Sequence, residues 1–505
     1  MASHIVTGSI LGLDAHGVDV EVDISPGLPA FTIVGLPDTA IQEAKERIRS
    51  AVKHADFPFP RTRVTVNLAP ADLKKIGTLF DLPIALAILS EEGILPPIEN
   101  PSRLFAGELA LDGTLRPIHG GLSLALLAKD LGIAELVLPA ANAKEASLVR
   151  EVMVRPAKHL KDVAEDLLGR TPLPQEPTRV MDAILPHVRG PNFSSVRGQE
   201  QARRALEIAA AGGHNLIMQG PPGSGKTLLA RAFPSILPSM TREETLEVTR
   251  IHSVAGLLPS DGFLHQRPFR APHHSASMAS LVGGGTSPRP GEISLAHRGV
   301  LFLDEFLEFP RMILESLRQP LEDGFVTVNR AIGSASFPAR FTLIAAMNPC
   351  PCGFLTDGTQ ACTCSAILVD KYRKRLSGPL LDRIDLFIEV PKVKTKELST
   401  CGAAESSDVV RIRVQAARDR QTERYQAIGV TTNADLGSDC VRKFIHLTDP
   451  AEQLLEQAVE RYHLSARAYF RLLKVSQTIA DLGAKECIDI PELAEALQYR
   501  EQKQV

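Results

Sequence analysis

Apolar and polar residues alternate early in the chain: Val18, Val20, Val22 and Ile24 interleave with Asp19, Glu21 and Asp23, the period of a half-buried strand. Ile41, Ala44, Ile48 and Ala51 recur at helical spacing behind Pro37-Asp38, Val64 to Leu68 reads as a second strand, and Leu82 to Leu89 as a short apolar helix. These patterns predict an α/β unit over residues 1–165. A proline-rich run, 166–190, breaks every period and reads as a linker, with a well-packed connector as the alternative. Over 191–391 apolar strand-like runs alternate with helical stretches, which predicts a parallel sheet covered by helices. Beyond Val390-Pro391 come long charged helices, and 392–505 is expected to be a helical lid.

A chain of 505 residues with 44% hydrophobic content supports about three packed cores. Lys+Arg 56 against Asp+Glu 59 leaves a net charge of −3, so any surface for nucleic acid must be local. The start, Met1-Ala2-Ser3-His4, lacks the charged and apolar regions of a secretory signal, and no run of eighteen apolar residues offers a membrane span. The expectation is a cytoplasmic protein with no membrane partner.

The chemistry concentrates in the middle unit. Leu216-Ile217-Met218 breaks into Gly220-Pro221-Pro222-Gly223-Ser224-Gly225-Lys226-Thr227 and then into a helical pattern, the setting of a P-loop for ATP and Mg²⁺. In that reading backbone N–H groups converge on the phosphates, Lys226 reaches the β/γ oxygens, and Thr227 ligates the metal. Val300 to Leu303 is a second buried strand that ends in Asp304, a further Mg²⁺ anchor, and Glu305, which polarises the attacking water. Asn348 ends the apolar run Phe341 to Met347, where an amide senses the γ-phosphate; ordinary turn chemistry before proline is the alternative. Arg383, expected to be exposed in a turn, is read as a finger for a neighbouring subunit's ATP or as a local ion pair with Asp382 or Asp385. Arg467, Arg471 and Lys474 fall on one face of a C-terminal helix, and Arg467 is the residue chosen to reach a γ-phosphate.

Four of seven cysteines cluster as Cys350-Pro351-Cys352 and Cys362-Thr363-Cys364, a candidate thiolate site for Zn²⁺, with reduced free thiols as the alternative. Cys401, Cys440 and Cys487 read as ordinary thiols. Thr249 to Arg298 is longer than a crossover needs and predicts inserted hairpins, with Arg289 or Arg298 as phosphate contacts. His273-His274 reads as loop or core histidines, and "KYRKR", residues 371–375, as a basic patch for nucleic acid or a solvated helix face.

In this order the P-loop, acidic strand, Asn348, Arg383 and Arg467 resemble an AAA+ ATPase. "RPFRAPHHSASMASLVGGGTSPRPGEISLAHRGVLFLDEF", "AAMNPCPCG" and "LSARAYFRLLKVSQTIADL" further resemble the magnesium-chelatase-like proteins of the ComM/YifB group over nearly the whole chain. That resemblance implies a hexameric ring, a DNA helicase acting on single-stranded and branched DNA, and branch migration in natural transformation and recombination, with recombination proteins as possible partners. A protein-remodelling or chelatase-type ATPase is the competing reading. The N-terminal unit is similar to the Lon proteolytic domain and its inactive relative in RadA. Leu79 and Ser123 stand where the Lon serine and lysine fall, which implies no peptidase activity.

Overall fold

The computed structural model describes residues 3–97, 102–178, 190–285, 288–330, 333–357, 360–393 and 405–500. The N-terminal unit holds a four-stranded sheet in the order Ser3–Leu11, Asp14–Ser25, Arg63–Ala69, Ala30–Val34. Its last pair is parallel and the others antiparallel. Val18, Val20 and Val22 are buried as their alternation requires, and every residue from Leu82 to Leu89 is buried in the helix Asp81–Glu91. The helix Thr39–His54 begins where Asp38 accepts a hydrogen bond from the Ile41 N–H at 3.0 Å, a side-chain cap that fixes its first turn.

This unit runs past its expected boundary at 165. Its last helix ends at Leu167, the Leu173 N–H donates to Asp166 Oδ1 at 2.8 Å, and Leu173 is buried in the same core. Packing therefore takes up the first part of the presumed linker; residues 179–189 lie outside the described residues.

The central sheet is five-stranded and parallel, in the order Phe269–Arg270, Val300–Leu303, Thr342–Met347, Leu216–Gln219, Leu386–Glu389. Its strands are short and apolar because helices cover both faces, the pattern of a buried parallel sheet. Two hairpins project from this unit: Gly283–Gly284 pairs with Arg289–Pro290, and Phe325–Arg330 with Gly333–Pro338. Residues 405–500 form helices, among them Ser407–Arg424 and Ala466–Leu482, which share a core with the helix Glu200–Gly212 of the central unit. The N-terminal unit is tied to the central one by Arg250, which donates to the Leu13 carbonyl at 2.9 Å and pairs with Asp14 at 2.7 Å. Among the described residues no helix is long and apolar enough to cross a membrane.

Candidate nucleotide site

Three neighbouring strands end on one edge of the sheet, where the crossovers leave a crevice that suits a phosphate ligand. Leu216–Gln219 runs into the glycine-rich turn, Val300–Leu303 into Asp304 and Glu305, and Thr342–Met347 into Asn348. Gly225, at φ +94°, turns the chain into the helix Lys226–Ala232 in a conformation that side chains other than glycine's rarely adopt.

Lys226 lies inside the turn, its Nζ 2.7 Å from the Gly220 carbonyl, 2.9 Å from that of Pro221 and 3.5 Å from Asn348 Oδ1. Burial lowers its pKa from the ordinary lysine value, and Asp304 opposes that shift. Thr227 Oγ1 donates to Asp304 Oδ2 at 2.8 Å, so the two oxygens expected to share one Mg²⁺ lie together. This oxygen pair and the ammonium beside it fit a magnesium–nucleotide complex: Thr227 and Asp304 would hold the metal, which would neutralise phosphate charge, and Lys226 would meet the terminal phosphates.

Glu305 sits at φ +51°, a left-handed conformation uncommon outside glycine. Its Oε2 is 3.1 Å from His274 Nδ1, and His273 packs on His274 with ring centroids 4.1 Å apart. Sequence alone gives His274 no link to Glu305, because 31 positions of chain separate two groups that only the sheet brings together.

The two arginines lie elsewhere. Arg383 is not exposed: its side chain is only 12% accessible, and it pairs with Glu322 rather than Asp382 or Asp385. Arg467 stays with it, 3.6 Å from Asp382, and both line a cavity of about 740 Å³ to which no P-loop residue contributes. A γ-phosphate held by the chain's own P-loop is therefore not what Arg467 faces here. The expected basic stripe is also taken apart: Arg471 donates to the Leu381 and Ile384 carbonyls, and Lys474 to that of Ala434 at 2.9 Å.

Two further expectations change. Arg298 is half-buried and clamped by Glu247 at 2.8 Å with its backbone at φ +57°, whereas Arg289 stays exposed on its hairpin. Tyr372 is buried with the Arg375 guanidinium 5.7 Å from its ring, which leaves no face for a base to stack on. Four cysteine sulfurs, those of Cys350, Cys352, Cys362 and Cys364, lie within 4.8 Å of one another and form a set able to hold a metal ion. Cys401 lies outside the described residues, and Cys440 and Cys487 are free thiols. In the N-terminal unit Leu79 is buried, and the Ser123 hydroxyl donates to the Leu13 carbonyl at 2.7 Å.

A parallel sheet with a P-loop, an acidic strand end and a polar strand end side by side defines a P-loop ATPase domain of the AAA+ type. The family described as magnesium chelatase, subunit ChlI, matches residues 192–398; related descriptions, the subunit ChlI of Mg-chelatase and its C-terminal part, match 20–142 and 404–500. The chain is 47% identical over 497 residues to the competence protein ComM of Haemophilus influenzae, covering 97% of this chain and 96% of that one. It is 43% identical over 500 residues to YifB of Escherichia coli, covering 99% and 97%. A magnesium-chelatase 67 kDa subunit of Chlorobaculum parvum is 29% identical over 163 residues, 31% of this chain and 23% of that one. The chain belongs to the ComM/YifB group of magnesium-chelatase-like proteins.

Proposed function

We propose that this protein is a ring-forming motor that couples ATP hydrolysis to movement along DNA. The observation that carries the ring is the separation of functions within one chain: Lys226, Thr227 and Asp304 converge on one edge of the sheet, while Arg383 and Arg467 line a different cavity. A P-loop that neither Arg383 nor Arg467 of its own chain reaches is completed when a second subunit brings that cavity against it. Arg383 then stabilises the charge that develops on the transferring phosphoryl group, and Arg467 acts from the same side. Glu305 orients the attacking water, and Asn348 reports the γ-phosphate to the strand that carries it.

The name of the Haemophilus influenzae relative supports a role in handling DNA during competence. The proposed assembly is a cytoplasmic hexamer that promotes branch migration in natural transformation and recombination. Its N-terminal unit takes the place of a Lon-like domain without peptidase activity, and the C-terminal helices act as the lid. Lys75 is the buried lysine of that N-terminal unit, and its ammonium donates to the Pro70 carbonyl, not to a serine.

The competing reading, a chelatase-type or protein-remodelling ATPase, draws on the partial similarity to the Chlorobaculum subunit. The test is ATPase turnover with and without DNA, together with strand exchange on a labelled four-way junction. Stimulation by DNA with ATP-dependent resolution of the junction supports the motor. Turnover indifferent to DNA and no junction movement favours the remodelling reading.

A further inference from the structure

We propose that Cys350, Cys352, Cys362 and Cys364 bind one zinc ion, and that the loop this ion closes is a brace on the nucleotide pocket, so that metal and nucleotide bind with positive coupling. The coupling rests on the P-loop reading above; the metal site does not.

The sulfur spacing carries the metal. Cys350 Sγ lies 3.4 Å from that of Cys352 and 3.7 Å from that of Cys362, and the Cys352–Cys362 pair is 3.6 Å apart. Disulfide sulfurs sit at about 2.05 Å. Four thiolates around a tetrahedral zinc with bonds of about 2.3 Å place their sulfurs about 3.8 Å apart, close to the spacing seen. A soft, all-sulfur tetrahedral set selects zinc or iron over the hard cations of the phosphate site. Backbone groups support these ligands from outside: the Cys364 N–H donates to Cys362 Sγ at 3.4 Å, and the Phe354 and Thr363 N–H groups to the Cys352 sulfur. Gly353, at φ +84°, closes the turn that begins at Cys350, with its N–H on the Cys350 carbonyl at 3.0 Å.

Three contacts carry the brace. Cys350 follows Asn348 by two residues, so an anchored sulfur restrains the amide that lies 3.5 Å from Lys226. Gly353 presses on the P-loop itself: a β-carbon built there would stand 2.7 Å from Pro222 Cδ and 2.8 Å from its Cγ. Farther along the loop, Asp357 pairs with Lys392, whose ammonium also lies 5.7 Å from the Phe354 ring. The neighbouring Pro391 carbonyl accepts from Gln199 Nε2 at 2.5 Å, and that amide also donates to the Ser224 carbonyl at 3.3 Å. The loop thus reaches the P-loop from both sides, and a metal that ties its cysteines together would hold those contacts in register. Tying distant thiols into one rigid site is what a tetrathiolate metal does.

Linkage makes the proposal testable, because whatever factor zinc adds to nucleotide affinity, nucleotide must add to zinc affinity. The full-length protein is expected to contain one zinc per chain by elemental analysis. Zinc affinity, measured by competition with a chromogenic chelator, is expected to rise about 5- to 150-fold with Mg²⁺ and a non-hydrolysable ATP analogue, the usual span of such coupling. Affinity for a fluorescent ATP analogue should fall by the same factor when zinc is removed and recover when it is restored. Cys352→Ser should lose both metal and affinity. Gly353→Ala keeps all four thiols and is expected to retain zinc while weakening nucleotide binding. The wild-type competition experiment decides the matter even where a variant fails to fold. Protein that neither contains nor takes up zinc overturns the site, and iron in place of zinc overturns the assignment of the metal. Zinc affinity indifferent to nucleotide overturns the brace. Zinc-loaded protein that binds no ATP instead overturns the P-loop reading on which the brace depends and leaves the metal site standing.

Discussion

His274 Nδ1 stands 3.1 Å from Glu305 Oε2, so the carboxylate proposed to orient water is held by a side chain from the neighbouring strand's loop. That loop continues through Met278–Val282 into the Gly283–Gly284 hairpin, the segment expected to meet a polymer. A pull on the hairpin is thereby a pull on the partner of Glu305. His274→Ala is expected to leave ATP affinity unchanged, to raise basal turnover and to weaken stimulation by DNA. Partly exposed pairs contribute ~0.2–1 kcal/mol, which corresponds to about 1.4- to 5-fold in rate. Steady-state ATPase with and without DNA checks it, and basal turnover below the wild-type rate would sink it.

Lys226→Ala and Glu305→Gln should part company. The first removes the cation proposed to meet the phosphates and is expected to abolish nucleotide binding. The second keeps the pocket and is expected to bind ATP normally while turnover falls by about 10²-fold or more, the range for a lost acid–base or orienting group. Equilibrium binding of a labelled nucleotide, run beside turnover, separates them; equal affinities in the two variants would contradict the assignment.

Arg383→Ala subunits are expected to bind ATP and to hydrolyse it about 10³-fold more slowly, the scale of an arginine supplied from outside. Mixed with Lys226→Ala subunits they should regain part of the lost turnover, through interfaces that pair an intact P-loop with an intact Arg383. Exchange is followed by fluorescence transfer between labelled subunits. Mixed rings no more active than either parent would show that Arg383 does not act across an interface.

Glu247 ties Arg298 and His297 together, and its own protonation should be visible in stability. The hydrogen bond from His297, joined by the ion pair with Arg298, pulls its carboxyl down to about 2, below the ordinary glutamate value, against the opposing effect of burial. A carboxyl held lower in the folded chain than in the unfolded one stabilises the fold above the unfolded value and loses that contribution as pH falls. Wild type is therefore expected to exceed Glu247→Gln in Tm above about pH 4.5, with the gap closing toward pH 2. Thermal melts across that window measure it, and a gap independent of pH would assign the loss to packing alone.

The alternation of Val18, Val20 and Val22, the helical spacing of Ile41 to Ala51, and the apolar runs that end in Gly220, Asp304 and Asn348 were all legible in the chain itself. They depend on periods of two and 3.6 residues or on glycine at a turn, which are local properties of the backbone. Parallel strands that each lead into a covering helix point the same way, which puts Thr227 and Asp304 on one edge of the sheet, after the two strands that flank Thr342–Met347. What Arg383, Arg467 and Arg298 touch was not legible. A long cationic side chain finds its partner several ångströms away on another element, and Glu322, Asp382 and Glu247 became partners only when helices from distant parts of the chain packed together. The same holds for His274 beside Glu305 and for Gly353 beneath Pro222: spacing along the chain says which groups exist, and packing alone decides which of them meet.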